Sequence, residues 1–232
     1  VNVEGTARLA EITRLVGARF IHVSSVDALG LRSDGIPADE ETPPGGMVEC
    51  PYVLTKRMAE SAVLTEVDRG LDAVIVNPGI ILGSGCWNTS SGKIFSEVNK
   101  GLKFYTEGVT GYVSVKDVVK SMVKLMKSDV KNERYILVAE NRSLKSVLFK
   151  IADEFGKKRP SIKVTTLLAE IGWRILYLPS KIFGTEAKLT KQTAKSIHNK
   201  YHFSNDKIKK AIEIEFEPID EVIKEICVNF KG

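Results

Sequence analysis

The 232 residues contain no Gly-rich phosphate-binding fingerprint, no apolar run long enough to cross a bilayer and no Cys/His set at metal-ligand spacing. Gly83-Ser84-Gly85 comes nearest to a phosphate loop, but no helix follows it at once, so it reads as a flexible loop. A spanning helix needs about 20 apolar residues, and the most membrane-like piece, LLAEIGWRILYLPSKIFG, is broken by Glu170, Arg174 and Lys181. A partly buried helix fits there, with an apolar lid or a homodimer face as the alternative. No signal peptide is visible, although a chain that starts at Val1 can hide one, and no membrane partner is expected. His198 and His202 are four apart, yet neither a third ligand nor an HExxH glutamate accompanies them, so exposed histidines are expected in place of a zinc pair. The cysteines Cys50, Cys86 and Cys227 are odd in number and widely spaced, which favours a reducing cytoplasm.

What is present is the composition of an α/β protein with a substantial core, 43% hydrophobic and 27% charged. Residues 1–116 carry 11 Lys/Arg against 14 Asp/Glu, and residues 117–232 carry 23 against 15. Lys188, Lys191, Lys195 and Lys200 decorate one helix-like segment and Lys207, Lys209 and Lys210 another, with few aromatics interleaved. That pattern speaks for a solvated lysine face and against a nucleic-acid partner, a basic rim steering an anionic ligand being the alternative.

One spacing carries chemistry. Tyr52 and Lys56 lie four apart in ECPYVLTKRMAESAV, and Ser24-Ser25 end an apolar run upstream. A tyrosine, with an ordinary pKa near about 10, acts as an acid or base near neutrality only when a cation stabilises its phenolate. A lysine at i+4 on a helix can do so and still reach a ligand hydroxyl. Three of the six tyrosines have such a lysine. Tyr112 in GYVSVKD reads as strand, where residues four apart are too distant. Tyr177 is followed by Pro179, which interrupts the helix needed to bring Lys181 round. Only Tyr52 opens a helix, behind Pro51.

FIHVSS reads as a buried strand, Phe20–Ser24, and LDAVIVNPGIILG as a second, Ala73–Asn77, with a loop after it that lets backbone approach a ligand. Active groups in open α/β sheets gather at the carboxyl ends of strands. Taken in order, NVEGTARLAE, VSSVDALG, YVLTK, NPGIILG and GYVSVKDVVKSM resemble the extended short-chain dehydrogenase/reductase family, in particular its dihydroflavonol-reductase-like and sugar-epimerase-like members, over residues 1 to about 140. The resemblance implies that Tyr52 protonates a substrate carbonyl oxygen or deprotonates the alcohol. It implies that Lys56 stabilises the phenolate and holds the nicotinamide ribose of NAD or NADP, and that Ser25, with Ser24 as its neighbour, hydrogen-bonds the reacting oxygen. Asn2 would support a water and lysine proton path, and Pro78 and Ile81 would meet the nicotinamide end. Each residue also has a plain structural reading: a cap or turn for Ser25, a helix start for Asn2, a strand stop for Pro78. Asp27 departs from the family, which often has threonine or another small residue there.

The expected fold is α/β: the C-terminal part of a Rossmann-type doubly wound parallel sheet plus a smaller, mainly helical substrate-binding region. Residues 1–156 would form the first, interleaved with substrate-region segments near 80–112, and residues 157–232 the second, a lid. The missing glycine fingerprint leads us to expect about 100 further residues upstream, carrying the first strands. Further elements are expected as a helix to Leu15, a long polar excursion from Asp27 to Glu49 framing the site, and a helix at Ile94–Asn99. A strand at Tyr112, a helix at Asp117–Met126, the buried run RYILVAE and a helix capped by Ser143 follow. Trp87 would pack a substrate or the base of its loop. The expected function is an NAD(P)-dependent oxidoreductase acting on a small carbonyl/alcohol pair. The alternatives are a nucleotide-sugar epimerase/dehydratase with retained NAD and a non-catalytic nucleotide-sensing protein of the same fold.

Overall fold

A computed structural model describes residues 2–32, 34–43, 45–46, 50–89, 91–166, 168 and 198–230. Part of the segment expected as a lid, including Tyr177, Lys181, Lys188, Lys191 and Lys195, lies outside the described residues. The helices are α1 Asn2–Leu15, α2 Pro51–Asp68, α3 Gly92–Asn99, α4 Val115–Met126, α5 Leu144–Glu154, α6 Asp206–Ile212 and α7 Ile219–Val228. The strands are β1 Phe20–Val23, β2 Ala73–Pro78, β3 Ile80–Leu82, β4 Phe104–Tyr105, β5 Val109–Ser114, β6 Glu133–Leu137, β7 Glu140–Ser143 and β8 Ile162–Lys163. Among the described residues no helix is long and apolar enough to cross a membrane. The chain sorts into two compact units, one of residues 1–83, 111–141 and 202–222, the other of 84–110, 142–201 and 223–232.

The first unit is built on a parallel sheet in the order β1-β2-β6, with Phe20 opposite Ala73 and Val76 opposite Tyr135. All six residues of the central β2 are buried, which is why its sequence is a continuous apolar run with no alternation. Ala73 and Ile75 pack with Ala10 of α1 and Val63 of α2, while Val74 and Val76 pack with Val118 and Leu125 of α4 and Ile208 of α6. Helices therefore cover both faces, as expected of a doubly wound sheet. Ser114 starts α4 by accepting the Asp117 N–H at 2.9 Å, and Asp117 accepts the Glu217 N–H at 2.9 Å. At the end of α6, where Glu213 is left-handed with φ 48°, Lys124 Nζ donates to the carbonyls of Ile212 and Glu213 at 2.8 and 3.0 Å.

Four expectations change. The loop read after Asn77 is confined to Gly79, because Ile80–Leu82 pair in parallel with Tyr112–Ser114. The excursion after Asp27 is docked and not simply solvated: Ala28, Leu29 and Ala38 are buried, Ala38 bridges Phe203, and Glu40 accepts the Ile136 N–H on the outer edge of β6 at 2.8 Å. Around His198 and His202 the backbone is not helical, Lys200 and Phe203 being bridge residues, so the shared-face argument for the two histidines lapses. Lys207 is likewise no solvated lysine, since it pairs with Glu133 at 2.7 Å and sits 5.4 Å over the Tyr135 ring.

The β2–β3 junction is tight. A Cβ on Gly79 would stand 2.3 Å from the Gly111 carbonyl oxygen, and one on Gly111 2.4 Å from the Val138 side chain. Gly111→Ala is therefore expected to lose about 2 kcal/mol by overpacking, whereas an alanine at Gly5, with no atom within 4 Å, should not destabilise. Urea unfolding of the two variants checks the contrast.

Candidate functional site

The carboxyl ends of β1 and β2 and the first turns of α2 bring most of the candidate residues into the first unit. Pro51 fixes the start of α2, so Tyr52 lies in its first turn, 48% exposed, with its phenol open to a ligand. Lys56 follows on the same face, its ammonium 5.9 Å from the Tyr52 ring centroid. That ammonium is anchored by donating to the Val23 carbonyl at 3.2 Å, the last residue of β1. One of its three N–H groups is so used, which leaves donors for a ligand. A second tie comes from Arg57, which donates to the carbonyls of Ala28 and Leu29 at 3.1 and 3.2 Å and binds α2 to the turn that follows the serines.

Ser25 is 8% exposed and caps the 3-10 turn Val26–Ala28, its hydroxyl accepting the Asp27 N–H at 3.2 Å. The capping role foreseen for it is real, and the hydroxyl keeps its own proton to donate. Ser24 is 4% exposed with no partner for its hydroxyl. Burial pushes the Asp27 carboxyl above its ordinary value. Pro78 is the buried last residue of β2 and Ile81 the half-buried centre of β3. Asn2 is exposed at the start of α1, its carbonyl accepting the Thr6 hydroxyl at 2.7 Å. Among the described residues its side chain has no hydrogen bond to Tyr52, Lys56 or Ser25.

Beneath these groups lies a polar cluster that the sequence reading missed. Asn77, fully buried, donates to the Ser25 carbonyl at 2.8 Å and to Glu60 at 2.7 Å, and Glu60 pairs with Arg134 at 2.7 Å. Glu60 stands one turn beyond Lys56, so Tyr52, Lys56 and Glu60 form a ridge at i, i+4 and i+8; that spacing was the available signal. His22 shares a sheet face with Ser24 and Asn77 by strand alternation and register. Its Nε2 is buried without a partner, as are the Ser24 hydroxyl and the Asn77 Oδ1. Desolvation, reinforced by the Lys56 charge, lowers His22 from 6.5 to about 4, so it is neutral at pH 7.

Elsewhere the structure gives plain roles. Cys50 precedes α2 as its half-buried N-cap residue without a side-chain cap bond, Cys86 is exposed, and burial pushes the Cys227 thiol up to about 12. Trp87 packs edge-on against Phe95 and Phe230 in the second unit, at centroid distances of 6.5 and 4.7 Å, which is the loop-base role. Among the described residues no group of His, Cys, Asp and Glu could hold a metal ion.

Two outcomes are expected. Arg134→Met leaves Glu60 buried without its counterion and should cost about 3 kcal/mol, part of which Glu60→Gln restores in the double variant; denaturant melts of the three variants decide. Because His22 is depressed in the folded state, stability is full above pH 6.5 and falls as pH drops toward 4, where the unfolded chain takes up the proton the folded chain refuses. His22→Gln should flatten that slope by up to about 1.4 kcal/mol per pH unit, and an unchanged slope in melts at pH 4.5 to 7 would show the imidazole to be solvated.

Comparison with known proteins follows the same geometry. Residues 1–138 match the family described as NAD dependent epimerase/dehydratase. Sterol demethylase protein B of Methylococcus capsulatus is 29% identical over 173 residues, 73% of this chain and 53% of that one. A putative dihydroflavonol 4-reductase of Synechocystis is 29% identical over 170 residues, 68% of this chain and 49% of that one. The chain thus spans about half the length of these curated relatives. Among solved structures, that of gox2253 superposes with a TM-score of 0.81 at 29% identity, covering 98% of this chain and 70% of that one. The UDP-glucose 4-epimerase of Thermotoga maritima with UDP-glucose superposes at 0.76 with 17% identity, over 98% of this chain and 68% of that one, a likeness of fold.

Proposed function

The chain belongs to the NAD dependent epimerase/dehydratase family, and on that premise we propose that it carries the acid–base half of an NAD(P)-dependent oxidoreductase site acting on a carbonyl/secondary-alcohol pair. The observation that carries the reading is the Tyr52–Lys56 pair: an exposed phenol with an ammonium 5.9 Å from its ring, held from below by a strand-end carbonyl. In this reading Tyr52 delivers its proton to the carbonyl oxygen of the substrate, or takes one from the alcohol in reverse. Lys56 stabilises the phenolate by its charge and uses its remaining donors on the ribose hydroxyls of NAD or NADP. Ser25 donates its hydroxyl proton to the reacting oxygen and fixes its position, while Asp27 N–H holds the serine oxygen in place. Bound NAD or NADP would supply or accept the hydride. Pro78 and Ile81 would form main-chain contacts at its nicotinamide end, and Asn2 would act through water on Lys56. The donors left on Lys56 and the openness of Tyr52 fit such a ligand.

The reductase reading is preferred to an epimerase because the curated relatives it resembles include reductases, a putative dihydroflavonol 4-reductase at 29% and a cinnamoyl-CoA reductase 1 of Petunia hybrida at 27%. The UDP-glucose 4-epimerase resembles it at 17%. Tyr52→Phe is expected to lower turnover by two or more orders of magnitude, roughly the worth of a general acid, while cofactor affinity changes little. Wild-type turnover in that variant would remove the assigned acid. Net consumption of NADPH or NADH with a carbonyl substrate supports the reductase, whereas tightly retained NAD with no net consumption would support the epimerase.

A further inference from the structure

The second unit holds an apolar pocket that the acid–base site does not account for. Its cavity is about 350 Å³, the low end of the range for small-molecule sites. Ile94 of α3, Leu102, Phe104 of β4, Leu144 and Leu148 of α5 and Val164 wall it. Phe104 is 49% exposed and presents a ring with unfilled contacts. One polar group belongs to the lining and is not spent: Thr106 is 7% exposed and its hydroxyl has no hydrogen-bond partner. A buried hydroxyl without a partner is costly, and a ligand oxygen would satisfy it.

The charges around the pocket select the ligand class. Lys163 donates to one oxygen of Glu107, and Lys145 is 4.0 Å from the other. Lys145 also sits 5.3 and 5.5 Å over the rings of Tyr105 and Phe149. Both cations are therefore engaged by a carboxylate whose own acidity is raised by Lys163. In the lining, α3 contributes one cation, Lys93, and one anion, Glu97. A diphosphate needs cations and several N–H donors; this lining offers one cation and one anion, an apolar interior, the Tyr105 phenol and the unpartnered Thr106 hydroxyl.

We propose that this pocket binds an uncharged, largely apolar ring compound carrying one hydroxyl or carbonyl oxygen that hydrogen-bonds Thr106. The binding does not depend on the carbonyl/alcohol reading above.

Prodan, a neutral naphthalene ketone whose emission reports polarity, is a suitable probe. Added to the purified chain, it is expected to bind saturably with a blue-shifted emission. Thr106→Val should weaken it about fivefold, the worth of one neutral hydrogen bond. Leu144→Trp, which fills the cavity from its half-buried wall, should abolish binding; circular dichroism of both variants establishes that they are folded. No saturable binding, or equal binding by wild type and both folded variants, would overturn the proposal, as would displacement of Prodan by lower concentrations of UDP than of an uncharged ring ketone. Probe binding with no Tyr52-dependent turnover defeats the catalytic reading alone, and turnover of carbonyl compounds without probe binding defeats this one alone.

Discussion

A carboxylate withdrawn from water at Glu60 fixes the relative position of everything around it. It receives the Asn77 amide on one side and the Arg134 guanidinium on the other, and the same amide reaches the Ser25 carbonyl. Helix α2, the ends of β1 and β2, and the start of β6 are thereby locked together by directional bonds and not by apolar contact alone. A buried ion pair gives little net stability, because desolvation offsets the attraction, but losing one partner is expensive. Such a pair specifies register well: a slip of β2 by one residue would turn Asn77 to the other face and strand Glu60. The Tyr52–Lys56 ridge stands on the same helix, so its placement over the serines inherits that precision.

Electrostatics in this region is one-sided in a useful way. His22, on the strand below Lys56, is held neutral by burial and by the Lys56 charge. The unpartnered Ser24 hydroxyl and His22 Nε2 leave polar capacity under the helix that ordered water can take up.

Much of this was legible in the chain because periodicity and strand-end chemistry are local. The continuous run at Ala73, the proline at the head of α2, and Ser143 as a helix starter all write their structure into neighbouring residues. What escaped depends on partners far away in sequence. Ile80–Leu82 looked like loop because it follows Pro-Gly, and only pairing with Tyr112–Ser114 makes it a strand. Residues 27–49 read as a polar surface excursion from their prolines, glycines and acids; Ala38 and Glu40 dock through Phe203 and Ile136, about a hundred residues or more away. The Tyr52 and Lys56 spacing was readable on one helix, whereas the Glu60–Asn77–Arg134 cluster joins three elements. The return of residues 202–222 to the first unit has no local signal at all.

Glu40 has a further bearing on how the protein coexists with copies of itself. The outer edge of β6 would otherwise offer backbone N–H groups to any passing strand, and the Glu40 carboxylate occupies the one at Ile136. Burial raises the proton affinity of that carboxyl, yet a carboxylic acid still accepts through its carbonyl oxygen. The guard on this edge is therefore steric and directional as well as electrostatic, and it persists under mild acidity. An acidic residue in a stretch that reads as loop thus occupies a backbone donor that an added strand would need.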